Sequence, residues 1–123
     1  MRDRIKQLAP DVIFYHEVPT QTVESLDILF GRVFELSAGL KTWYLIVDIR
    51  ESAAPSPEVR DRLRQIYAKA DGLKHAILIT GLSRILRLFV QFVAGNAIKI
   101  PFSVVKDLDS ALSRIKDIKK YSA

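Results

Sequence analysis

Cysteine is absent from all 123 residues. That excludes disulfide staples, thiolate zinc sites and cysteine nucleophiles, and it fits a reducing compartment. Long apolar runs are also lacking. None approaches the roughly 20 residues needed to cross a bilayer. The start, Met1-Arg2-Asp3-Arg4-Ile5-Lys6, has no signal-peptide core behind it. The expectation is therefore a soluble, cytoplasmic protein. Glycine is scarce, with five residues placed mostly at apparent helix ends, so there is little material for a cofactor cradle. No phosphate loop, dinucleotide fingerprint, Gly-x-Ser-x-Gly elbow or His-Glu-x-x-His is present. The two histidines, His16 and His75, stand far apart. Metal sites draw on clustered ligands. Each histidine is read as an ordinary strand residue, and no metal, cofactor or enzymatic activity is expected.

What is present suffices for one domain spanning 1–123, with residues 1–10 as a short strand or an irregular lead-in. Of the residues, 49% are hydrophobic, enough for a core without staples. The formal charge is +5. Such a balance permits contact with an anionic membrane surface or nucleic acid. The basic residues are dispersed and interleaved with acids, as in Arg60-Asp61-Arg62. A committed nucleic-acid binder concentrates its charge on one face, so nucleic acid is not expected here.

Trp43-Tyr44-Leu45-Ile46-Val47-Asp48-Ile49-Arg50 is an almost unbroken apolar run ending in a carboxylate and a guanidinium. Apolar on both faces, it reads as a central strand of a parallel sheet covered by helices. Strands are also predicted over 12–18, 75–80 and 98–105. In the last, Pro101 cannot donate a ladder hydrogen bond, which marks an edge strand. Between them lie helical stripes. The first, capped by Thr20 or Thr22, places Val23, Leu26, Phe30, Val33 and Ser37 on one face. The second opens at Ser56 with Pro57 in the first turn and ends at Gly72. A helix over 83–94 follows. The final helix, capped by Asp107, carries Leu108, Ala111, Leu112, Ile115 and Ile118. The predicted order is βαβαβαβα, an α/β domain with a mostly parallel sheet of four or five strands.

"YLIVDIR", "SPEVRDRL", "ILITG" before an arginine-bearing apolar helix, and the closing "DLDSALSRIKDI" together resemble the SpoIIAA-like, STAS-type domains, including the branch grouped with lipid-binding CRAL-TRIO-like modules. The pattern covers roughly residues 11–120. The resemblance implies a layered α/β sheet and a regulatory protein-interaction role. In the anti-sigma-factor antagonists of that family, a phosphorylatable serine opens the helix after the equivalent strand, in an Asp-Ser-Ser-Gly context. Asp48 matches the strand-end aspartate. The motif position here reads Pro55-Ser56-Pro57-Glu58, without the Asp and the Gly.

The candidate residues follow from these placements. Ligands and partners meet open α/β sheets beyond the carboxyl ends of their strands. Asp48, Arg50 and Thr80 would line that edge, with Asp48 read chiefly as a carboxylate that binds nearby backbone N–H groups and holds the loop. Ser52 and Ser56 are the candidate phosphorylation sites, with Ser56 read chiefly as a helix cap. In the helix over 83–94, Arg84, Arg87 and Gln91 form a narrow polar stripe. Apolar residues fill an arc of roughly 200°, more than one sheet face needs to cover. Phe89 is expected in the core. Leu88 and Phe92 on one flank, and Val90 on the other, are expected to stay uncovered. Arg84, Arg87, Leu88 and Phe92 are the expected contact surface for a protein partner or a second copy of the chain. An apolar ligand or a lipid surface is the alternative occupant.

Overall fold

In the computed structural model, which describes residues 2–84, 87–88, 90 and 99–122, five strands form one mixed sheet in chain order. They are β1 (Ile5–Ala9), β2 (Val12–His16), β3 (Trp43–Asp48), β4 (Leu73–Ile79) and β5 (Phe102–Val105). β1 and β2 make an antiparallel hairpin, and β2 through β5 run parallel. The lead-in is thus a strand. Its sequence hides this because only Ile5 is buried, while Lys6, Gln7 and Leu8 face solvent. β5 is an edge strand, as Pro101 predicts, and it begins just after that proline.

Each helix starts where a side chain takes up a free backbone N–H. Helix α1 (Val23–Ser37) begins with a reciprocal box in which Thr22 and Ser25 each accept the other's backbone N–H. Helix α2 (Pro57–Ala68) is capped by Ser56, whose hydroxyl accepts from the Val59 N–H at 3.2 Å. Helix α3 (Leu108–Ser122) is capped by Asp107, which accepts from the Ser110 N–H at 2.8 Å. Arg84, Arg87, Leu88 and Val90 are helical too, and the remainder of the predicted 83–94 helix, Phe89 and Phe92 included, lies outside the described residues.

Period-two alternation divides the strands between two cores. Ile13, Tyr15, Leu45, Val47, Ala76 and Leu78 face α1 and α2, where Phe30 stacks between Tyr15 and Tyr67 with centroids 5.1 and 5.7 Å away. Val12, Tyr44, Ile46, Ile77 and Ile79 face α3, against Ala111 and Ile115. β3 is buried along its whole length, as expected for a strand with helices on both sides. At its start the Trp43 indole N–H donates to the Asp71 carbonyl at 2.8 Å, so the largest core side chain leaves no donor unpaired there.

Val90 corrects an expectation. It is 8% exposed and packs into the core beneath α1 and α2. The helix turns its Val90 side inward and leaves Leu88 outside at 68% exposure. Among its described residues, the Leu88 flank is uncovered and the Val90 flank is not.

Candidate functional site

The parallel strands all end at one edge of the sheet, and the loops there carry the candidates. Asp48 closes β3 with its side chain 7% exposed. Arg50 grips it as a fork: Nε donates to Oδ1 at 3.0 Å and Nη2 to Oδ2 at 2.7 Å. The Arg50 backbone N–H adds a third bond to Oδ1 at 3.1 Å. Burial pushes the Asp48 carboxyl up, but the Arg50 hydrogen bonds and charge outweigh it and hold the carboxyl below its ordinary value. The same bonds raise the Arg50 guanidinium. The arrangement makes Asp48 an anchor. A two-pronged bond fixes the plane of the guanidinium as well as its position.

Arg50 itself stays 47% exposed, so an oriented cation faces solvent at the centre of the edge. Its aliphatic stem crosses Gly81, which has φ +74°. A Cβ at Gly81 would lie 3.6 Å from both Cγ and Cδ of Arg50. That is ordinary van der Waals distance, so what Gly81 supplies is the left-handed backbone of the turn after β4. Asp107, across from it at the end of β5, adds favourable charge to Arg50.

Three candidates are occupied structurally. Thr80 is 2% exposed; its N–H donates to the Val105 carbonyl at 2.9 Å, and its hydroxyl turns back on the carbonyls of Gly81 and Val105. Ser52 donates its hydroxyl to the Val18 carbonyl at 2.9 Å, and the next residue, Ala53, donates its N–H to Pro19 at 2.8 Å. These bonds stitch the loop after β3 to the loop after β2. Ser56 is the α2 cap, as anticipated.

The remaining candidates are exposed. Arg84, Arg87 and Leu88 project from the helical residues that follow Gly81, and Leu82 stands 82% exposed beside them. Phe92 lies outside the described residues. Arg50, Leu82, Arg84, Arg87 and Leu88 are all at least partly exposed, cations alternating with leucines along the chain after Gly81. Strand order among β2 to β5 never reverses. The crevice that opens at a reversal of strand order in doubly wound sheets has no counterpart here. The edge presents a surface.

Two polar groupings escaped the sequence reading. Glu17, just past β2, is 2% exposed. Its Oε1 accepts the Val18 N–H at 2.9 Å, and Arg4 donates to the carbonyls of His16 and Glu17. Burial pushes the Glu17 carboxyl up against the pull of those neighbours. The Tyr15 hydroxyl is buried beside it, and burial, followed by the charge of Glu17 and a hydrogen bond to its carboxyl, drives that phenol up as well. The second grouping lies on the α3 face. His75 Nε2 and Ser103 Oγ are 2.7 Å apart, and Arg114 Nε donates to the same Oγ at 3.1 Å. Strand alternation alone places His75 and Ser103 on one face, but only the β4–β5 register makes them neighbours.

Among the described residues no group of three or more His, Cys, Asp or Glu is placed to hold a metal ion, and no helix is long and apolar enough to cross a membrane. No family model, no curated protein and no solved structure matches the chain.

Proposed function

We propose that this chain is a non-enzymatic regulatory or protein-interaction domain of the STAS-like class. It meets a protein partner or a second copy through the helical segment over 83–94 and the loops at the carboxyl edge of the sheet. The observation that carries this reading is the exposure of Leu82 at 82% and Leu88 at 68% beside exposed Arg84 and Arg87. Leucines left in water beside exposed cations suit an interface with an apolar centre and a charged rim. Covering both would return on the order of 3 kcal/mol, about a hundredfold in affinity. The chain-order sheet supports the fold class. The Asp48–Arg50 fork supplies a rigid polar element at the border of that surface.

Light scattering over a concentration series, with capture of partners from the native cytoplasm, tests this. The Leu82→Asp/Leu88→Asp variant should lose self-association or its captured partner while keeping its circular dichroism. A monomeric wild type whose captured proteins match those of the variant would end the proposal. The same leucine and arginine pairing also fits an anionic lipid surface. Salt-sensitive co-sedimentation with anionic liposomes, lost in the same variant, would favour that second occupant.

A further inference from the structure

We propose that Ser103 is a nucleophilic serine that accepts an acyl group from a donor of the activated ester class, with His75 as its general base. The inference goes beyond the interaction reading and does not depend on it, because Ser103 faces α3 while the helix bearing Leu88 buries Val90 in the opposite core.

The geometry comes first. β4 and β5 pair in parallel with Ile77 opposite Ser103. His75, two residues back on β4, therefore shares the Ser103 face. Its Nε2 lies 2.7 Å from Oγ, within the reach required of a nucleophile and its base. Arg114 then settles where the proton goes. A guanidinium only donates, so at 3.1 Å Oγ must be its acceptor. The single serine O–H is left to point at His75 Nε2, which must be bare to receive it. Burial, followed by the charge of Arg114, pushes the His75 imidazole below its ordinary value, which keeps the ring neutral at pH 7.

Access matches the roles. His75 is 8% exposed, while Ser103 sits half-buried on an edge strand. Arg114, which donates to Ser103 Oγ, lines an open groove of about 480 Å³ along α3; Ser103 and His75 are not among its lining residues. The neighbouring strand positions on that face are apolar, Tyr44, Ile46, Ile77 and Ile79.

In the step, Ser103 Oγ attacks the carbonyl carbon of the donor as His75 Nε2 takes the Oγ proton. The oxyanion forms beside the Arg114 guanidinium, which is already held against Oγ. Collapse breaks the bond from the carbonyl carbon to the leaving oxygen, and the leaving oxyanion takes the proton back from His75. The products are an acyl ester on Ser103 and a free alcohol or phenol. No electron is gained or lost, and His75 ends neutral.

The full chain incubated with p-nitrophenyl acetate tests this, read by p-nitrophenolate release, intact mass and peptide mapping. One acetyl group per chain should appear on Ser103, with a matching burst of p-nitrophenolate. Ser103→Ala should remove both. His75→Gln, which keeps a hydrogen-bond acceptor but cannot take the proton, should slow acetylation at least about a hundredfold with circular dichroism unchanged. Exposed Ser113, on the wall of the same groove, is an internal control that needs no variant. Acetylation of Ser103 no faster than that of Ser113, acetyl groups on lysines alone, or an equal rate in His75→Gln would overturn the proposal.

Discussion

Two buried carboxylates meet opposite fates, and their neighbours decide which. Asp48 has three hydrogen bonds from Arg50, so its folded carboxyl lies below the ordinary 3.8. The stability it contributes is present above that value and is lost as pH falls through the folded one. Asp48→Asn should therefore cost about 1–2 kcal/mol at pH 7, toward the low end for charge-assisted bonds because Arg50 is half-exposed. Thermal melts should show the gap from wild type closing as the pH falls below 3.8. Equal melting temperatures at pH 7 would show that the fork contributes nothing to the fold. Glu17 has one backbone donor and deeper burial, and its carboxyl lies above the ordinary 4.5. Here the contribution is present below 4.5 and is lost as pH rises through the folded value. At neutral pH the buried carboxylate is a penalty. Glu17→Gln keeps the acceptor for the Val18 N–H without the charge, and should stabilise the fold by on the order of 1 kcal/mol at pH 7.5. The gain should shrink by pH 5, and a loss of stability at both pH values would refute this account. Sequence alone exposed half of this contrast. Asp48 and Arg50 are two residues apart at the end of one strand, so their pairing was readable. Glu17 sits between a strand and Pro19 and looks like an ordinary loop acid until the helices cover it.

Among the elements, boundaries were legible wherever a local rule acts. Thr22, Ser56 and Asp107 satisfy N–H groups within three residues of themselves, so their capping roles follow from spacing. Polar roles set by distant partners were not legible. Ser52 and Thr80 looked free for chemistry, but their hydroxyls are taken by carbonyls 34 and 25 residues away. The His75–Ser103 contact spans 28 residues, so nothing local announces it. Gly72 shows the local rule at its strictest. It turns the chain into β4 with φ +80°, and a Cβ there would stand 2.7 Å from the Lys41 carbonyl oxygen. Gly72→Ala combines left-handed strain with a backbone clash that no side-chain movement relieves. It should cost about 2 kcal/mol or more, and a denaturant midpoint equal to wild type would refute this. The helix after Gly81 offers a paired comparison. Leu88 and Val90 are two residues apart, one 68% exposed and the other 8%. Val90→Ala should cost about 1–2 kcal/mol through the cavity it leaves. Leu88→Ala should stay within about 0.5 kcal/mol. The two denaturant midpoints, measured side by side, check which flank is inward; the reverse ranking would place the wrong one against the sheet.

At the scale of the whole molecule, the sheet is a partition. α1 and α2 cover one side together with Val90, and α3 covers the other. Because β2 to β5 are laid down in chain order, no crevice joins the two sides at the strand ends. The surface bearing Leu82 and Leu88 and the Ser103 grouping belong to different layers, and no hydrogen bond described here links them. A sheet and its covering helices are packed about 10 Å apart, near the separation at which mutational effects become additive. Two activities on one small domain should then be separable. The Leu82→Asp/Leu88→Asp variant should weaken its contact about a hundredfold and leave the acetylation rate of Ser103 unchanged. His75→Gln should do the reverse. The combined variant should lose both, with a coupling energy under about 0.5 kcal/mol in a double-mutant cycle on binding. A larger coupling would mean that the β4–β5 edge shifts when the partner docks. Thr80 and Val105, whose bond joins those two strand ends, would then be the place to look for the link.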